Sequence, residues 1–176
     1  GAEKNANRVY IGGWLSGDVA PEKTSVWWFQ RLLTRDKRPW AFKDGDPQRR
    51  IAVAELFGSL LLVSLLVQKV KDSGESHLGL RIPFAADNQG NAFTLLRQNT
   101  RSWPNVLILM ELVLTVRRAG CQVACSHAPR LQNVWADELT HERFYGFNEA
   151  KRLSVEHLPE SFTLFRHLLY LSHWTR

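Results

Sequence analysis

The chain has 176 residues, which is enough for one domain with a real hydrophobic core. Hydrophobic residues make up 44% and charged residues 23%, as in an ordinary soluble globular protein, and neither repeats nor low-complexity tracts are visible. The formal net charge of +6 favours a polyanionic partner such as nucleic acid, although charge alone leaves this open.

The two cysteines, Cys121 and Cys125, argue against a disulfide framework. Their spacing of four along a predicted strand places them on one face but too far apart to bridge. No Cys/His cluster has the spacing of a zinc site, and no signal peptide is visible. These features predict a reduced, intracellular protein of the cytoplasm or nucleus.

The first half of the chain predicts two strands and a long helix. Residues 8–15 form a strand pattern weakened by a Gly pair, and residues 25–33 are aromatic and β-prone. Residues 34–48 contain two Pro, a Gly and many charges, which predicts a loop. Asp46-Pro47 is typical of a helix start, so a helix is predicted from there to about Lys71.

The apolar run Ile51–Val67 has the minimum length for a membrane span, with a single charge at Glu55. Amphipathic and strand-like segments surround it on both sides. A helix buried against a sheet is therefore the better interpretation, and no membrane association is expected.

The second half continues the alternation of strands and helices. Residues 78–86 predict a strand, a helix starts near Ala92 and is interrupted by Pro104, and it resumes until Gly120. Residues 121–126 predict a last strand, and Asn133 can cap a further helix. The predicted fold class is α/β, with helices flanking a mixed sheet, followed by a C-terminal helical tail over residues 141–176.

Three carboxylates have settings that suit a metal site: Glu55 at the front of the apolar helix, Asp87 at a strand end, and Asp137 early in a later helix. A carboxylate among apolar residues is costly unless it is paired or bound to a cation. The three together predict one shared Mg²⁺ or Mn²⁺ site. The plainer alternatives are an ion pair of Glu55 with Arg49 or Arg50, an Asx turn at Asp87, and a dipole-favoured helix acid at Asp137.

Motifs around these acids resemble a known family. Ala86-Asp-Asn-Gln-Gly-Asn91, His127-Ala-Pro-Arg130 and Asn133-Val-Trp-Ala-Asp-Glu-Leu-Thr140 are similar to the ribonuclease H region of retroelement reverse transcriptases, notably the DIRS-like group. The resemblance covers about residues 9–140, so residues 1–140 are expected to form a ribonuclease H-like domain.

The resemblance implies an endonuclease that cuts the RNA strand of an RNA–DNA hybrid with two divalent ions. Glu55, Asp87 and Asp137 match three of the family's four carboxylates, and His127 matches a histidine that assists turnover. The family's first Asp ends a strand that would fall at or just before Gly1, so part of the first strand is expected to be lacking. Two explanations stay open: the sequence begins after that Asp, which is favoured, or the domain has lost it. Without this Asp the chain as given could be inactive. The implied partners are a hybrid or other nucleic acid and the rest of a reverse transcriptase polyprotein.

Three rival interpretations remain open. One is a non-catalytic, connection-type ribonuclease H-like module that binds nucleic acid or has a structural role. Another is a nuclease or transposase-like enzyme of the same fold that acts on DNA. The third is a protein-interaction domain that uses the long apolar helix and the Trp-containing loop of residues 38–42.

Overall fold

A computed structural model describes residues 7–42, 47–74, 79, 81–86, 89–127 and 133–164. The chain is mixed α/β, which confirms the coarse fold class, and its elements follow the predicted order. The elements are β1 (Arg8–Leu15), β2 (Trp27–Thr34), a 3-10 turn (Pro39–Phe42), α1 (Pro47–Asp72), β3 (Arg81–Ala86), α2 (Gln89–Arg97), α3 (Asn105–Arg118), β4 (Gln122–His127), α4 (Val134–Thr140), a second 3-10 turn (Glu149–Lys151) and α5 (Leu158–Ser161).

The four described strands form two separate two-stranded sheets rather than the single mixed sheet that the sequence predicts. β1 and β2 are antiparallel, with Arg8 opposite Thr34 at one end. β3 and β4 are parallel, with Ala86 opposite His127 at their carboxyl ends. The sheets stay separate because, within the described ranges, no strand pairs with both β1 and β3.

Helix α1 is the centre of the hydrophobic core. Leu56, Phe57, Leu60 and Leu61 on this helix are completely buried. The helix packs against β1 and against α3, so apolar residues cover most of its circumference. By length and composition the segment Arg50–Asp72 could cross a membrane, but 67% of its most apolar window is buried, as in a core helix.

A second, smaller core lies where α4 and the chain beyond it cover the other face of the β1–β2 pair. Its buried members are Val26, Trp28, Leu139 and Phe147. The Trp28 indole N–H donates a hydrogen bond of 2.9 Å to the Asn148 carbonyl oxygen. The first part of the segment after α4 therefore lies directly on β2.

Residues 141–164 are joined to the rest of the molecule by further polar contacts. The buried Arg31 guanidinium donates to the Val155 carbonyl oxygen at 3.2 Å. The buried Glu111 carboxylate of α3 accepts hydrogen bonds from the backbone N–H groups of Thr163 and Leu164. The tail helix predicted from about Ser161 is not present at residues 162–164, and the remainder of that prediction lies outside the described residues. The domain boundary at residue 140 remains a prediction.

Candidate active-site groove

A large groove of about 1050 Å³ separates the two sheets; we call it the β1–β3 groove. Every residue of β1 and every residue of β3 contributes to its wall. Helix α1 supplies a third side, and residues at the start and end of α4 supply the fourth. The polar and charged side chains in the lining are Arg8, Tyr10, Ser16, Asp18, Glu55, Ser59, Arg81, Asn91, Asn133, Asp137, Thr140, His141 and Glu142.

Glu55 reaches this groove from the amino-terminal half of α1. Its side chain is partly buried, and its Oε2 atom lies 3.4 Å from the Nδ2 atom of Asn91. The same Asn91 amide donates a 2.9 Å hydrogen bond to the Ala52 carbonyl oxygen. Because Asn91 is buried in α2, these contacts tie α2 to α1 beside the Glu55 carboxylate and restrict its orientation.

Asp137 reaches the same groove from α4. One of its carboxylate oxygens lies 3.6 Å from Nδ1 of His141, four residues further along the chain. The same ring nitrogen lies 2.7 Å from the Asp137 carbonyl oxygen. Asn133 occupies the cap position of α4 as predicted, but its side chain makes no capping hydrogen bond there.

Asp87 lies outside the described residues. Its neighbour Ala86 ends β3 and lines the groove. His127 ends the paired strand β4 opposite Ala86, is exposed, and lies outside the groove lining. The structure thus brings Glu55 and Asp137 to one groove, whereas His127 is not among the residues that line it.

Two residues near these acids are functional candidates that sequence reasoning did not single out. Asn91 contacts Glu55, although the two are 36 positions apart, which no local pattern could reveal. His141 contacts Asp137 at helical spacing, and that spacing of four could have indicated the pair. Both side chains line the groove and could orient an acid or contact a ligand.

The donor set in the groove suits hard cations, since carboxylate and amide oxygens are the ligands that Mg²⁺ and Mn²⁺ prefer. Among the residues that the structure describes, no group of three or more His, Cys, Asp or Glu side chains could hold a metal ion. Glu55 and Asp137 would therefore need Asp87, or a carboxylate from elsewhere, to complete such a site.

Neither cysteine is suited to act as a nucleophile at neutral pH. Cys121 and Cys125 are both free thiols, as their spacing predicts. Burial raises the pKa of each thiol above its ordinary value, so the neutral form predominates. A thiolate is the nucleophilic form, so neither residue is prepared for attack.

Comparison with known proteins adds no relative. No protein-family model, no curated protein and no solved structure matches the chain.

Proposed function

We propose that this chain is a ribonuclease H-type endonuclease that hydrolyses the RNA strand of RNA–DNA hybrids with Mg²⁺ or Mn²⁺. The observation that carries the proposal is the convergence of Glu55 and Asp137, far apart in sequence, on one groove. Ala86, which directly precedes Asp87, lines the same groove. Two of the three acids thus line one space, and the strand that precedes the third in sequence borders the same space.

In this proposal Glu55, Asp87 and Asp137 would hold two divalent ions, and such ions would supply an activated water and neutralise charge at phosphorus. The chain's own residues do the positioning. Asn91 orients the Glu55 carboxylate through its side-chain amide. The His141 ring lies 3.6 Å from the Asp137 carboxylate, and its Nδ1 atom makes its short contact with the Asp137 carbonyl oxygen. Arg8 and Arg81 in the groove wall are suited to contact backbone phosphates of the hybrid.

The finer fold assignment belongs to the same proposal. The described order of strands and helices, with an antiparallel pair before α1 and a parallel pair after it, is compatible with a ribonuclease H-like sheet that lacks one strand. The proposed setting is an intracellular reverse transcriptase polyprotein of a retroelement, with no membrane contact. The apolar helix α1 fits this setting because it is mostly buried.

The alternative is a non-catalytic ribonuclease H-like module that binds nucleic acid without cutting it. One observation favours it: of the four carboxylates that the implied site needs, the described residues bring two, Glu55 and Asp137, to the groove. The other acids in the described lining, Asp18 and Glu142, match none of the motif's positions, and no group of three or more described His, Cys, Asp or Glu side chains could hold a metal ion. Such a module would retain binding of a hybrid through its basic surface while showing no metal-dependent cleavage.

The experiment is Mn²⁺-dependent cleavage of an end-labelled RNA–DNA hybrid by the wild type and by Glu55→Gln, Asp87→Asn and Asp137→Asn. Removing one metal ligand is expected to lower the cleavage rate by about 100-fold or more. Asp72→Asn is the matched control, because Asp72 is an exposed acid at the far end of α1. It should leave the rate unchanged.

Cleavage that persists in all three variants would contradict the assignment of these acids as metal ligands. A chain that binds the hybrid with unchanged affinity in the presence of Mn²⁺ but never cleaves it would support the non-catalytic module and contradict the nuclease.

A further inference from the structure

A second cavity lies between α2, α3 and β4; we call it the α2–α3 cleft. It has a volume of about 420 Å³ and shares no described lining residue with the β1–β3 groove. All three elements contribute aliphatic side chains to its lining: Leu95, Leu109, Leu112, Val113, Val116 and Val123. Sites that bind ligands typically have volumes of about 300–1000 Å³. The α2–α3 cleft is therefore large enough to receive apolar side chains of a partner.

Helix α3 extends this apolar surface beyond the cleft. Met110 precedes Val113 by three residues and Arg117 by seven, so the three side chains lie along one face of the helix. Val113 and Arg117 line the cleft, and Met110 beside them is 48% exposed. A continuous apolar strip next to an apolar cavity is typical of a surface that another molecule covers.

The stretch of chain that forms the cleft is strongly basic. The Glu111 carboxylate is buried and accepts hydrogen bonds from the backbone N–H groups of Thr163 and Leu164. Residues 89–127 are all described, and besides this one acid their charged side chains are the exposed Arg97, Arg101, Arg117 and Arg118. This stretch therefore presents positive charge to solvent without an exposed carboxylate, which favours an acidic partner.

The lining of the cleft indicates which class of acidic partner fits. Its other members are Gln98, Arg117, Cys121 and Gln122, so no described lining residue is aromatic. Single-stranded nucleic acids bind through bases stacked on aromatic rings, and this cleft offers them no such platform. An amphipathic helix instead inserts apolar side chains at every third or fourth position into an apolar groove. The acidic face of such a helix can then meet Arg117 at the rim.

We propose that the α2–α3 cleft is a docking site for an acidic amphipathic helix of a protein partner. The apolar side chains of that helix enter the cleft and cover Met110 and Val113, and its carboxylates lie beside Arg117. Glu55 and Asp137 line the other cavity, so this docking site does not depend on the proposed nuclease activity.

The probe is a fluorescein-labelled peptide of about 15 residues, or about four helical turns, with Leu at every third or fourth position and Glu and Ala elsewhere. Fluorescence anisotropy measures its affinity for the full chain. Arg117→Glu should weaken binding at least about tenfold, because it removes a cation and adds a repelling charge. Met110→Gln should weaken binding about threefold to tenfold, because a polar amide replaces an apolar contact. Both residues are exposed, so neither change disturbs the core.

Two controls separate this site from general attraction to a basic protein. Arg143→Glu makes the same change of charge at an exposed residue after α4 that lines neither cavity. It should change the affinity less than about twofold, because salt screens separated surface charges. A peptide of the same composition with its Leu residues distributed around the helix should bind at least about tenfold more weakly, because it has no apolar face.

No binding at protein concentrations up to about 1 mM would contradict the proposal. Equal binding of the two peptides, or equal losses with Arg117→Glu and Arg143→Glu, would contradict it as well. A single-stranded oligonucleotide that binds more tightly than the peptide and loses affinity with Arg117→Glu would identify a nucleic-acid contact and overturn the proposal. None of these measurements involves cleavage, so this proposal and the nuclease proposal can fail separately.

Discussion

Arg31 shows how one buried charge ties the end of the described chain to β2. Its guanidinium donates to the Val155 carbonyl oxygen and lies 3.0 Å from a Glu156 carboxylate oxygen. Burial lowers the pKa of Arg31, and the nearby Glu156 carboxylate raises it in part compensation. The two partners differ in setting, since Arg31 is only 6% exposed whereas the Glu156 side chain is 73% exposed.

This difference in burial predicts that replacing Arg31 lowers the free energy of unfolding more than replacing Glu156. Arg31→Ala should lower the free energy of unfolding by about 2–3 kcal/mol, because it empties a buried site and leaves the Val155 carbonyl without this donor. Glu156→Gln should cost less than about 1 kcal/mol, because water screens an exposed partner. Urea unfolding followed by circular dichroism measures both. Equal losses would show that the ion pair, rather than the burial of Arg31, provides the stability.

At the residue scale, the sequence could predict Glu55 because an acid among Val, Ala, Leu and Phe is conspicuous, and Asp137 because of its motif. The structure places both in one groove. The sequence could not predict the Asn91 amide beside Glu55, since that contact depends on how α2 packs against α1. The role of Asp87 as a metal ligand remains a prediction, since this residue lies outside the described part of the chain.

At the scale of elements, Gly58 in helix α1 and Gly12 in strand β1 offer a matched comparison. A Cβ added at Gly58 of α1 would lie 3.7 Å from the Ile11 Cβ atom, an ordinary contact. A Cβ added at Gly12 of β1 would lie only 2.7 Å from the Leu139 Cβ atom on α4. The sheet and α4 thus approach each other closely only because residue 12 has no side chain.

Gly58→Ala should raise the free energy of unfolding by about 0.5–1 kcal/mol, since Ala restricts the unfolded chain and favours a helix interior. Gly12→Ala should lower it by about 1–3 kcal/mol, because α4 must move away from β1. Thermal unfolding of the two variants beside the wild type is the measurement. A stabilised Gly12→Ala would mean that α4 does not pack on β1 as described.

Elements were predictable where local signals were strong. The interior of α1 and its end near Lys71 follow from apolar residues and the Asp-Ser-Gly that comes after them, and the helix indeed ends at Asp72. The pairing of strands was not predictable, because an open edge depends on which segments meet in space rather than on any single segment.

At the scale of the whole molecule, the net charge of +6 gives the proposed nucleic-acid binding a salt dependence. If at least three phosphates are contacted, the affinity for a hybrid should fall by about 40-fold or more between about 50 and about 200 mM salt. Fluorescence anisotropy of a labelled hybrid at several salt concentrations measures the slope. Affinity that does not vary with salt would exclude binding through the phosphate backbone.

The covering of β2 also has a consequence for synthesis on the ribosome. Trp28 is completely buried, yet its hydrogen-bond partner Asn148 lies 120 positions later. At translation rates of about 5–20 residues per second, about 6–24 seconds pass between the synthesis of Trp28 and that of Asn148. During that interval a large aromatic surface of the nascent chain is open to chaperones, and the small core around Trp28 can form only after most of the chain has been made.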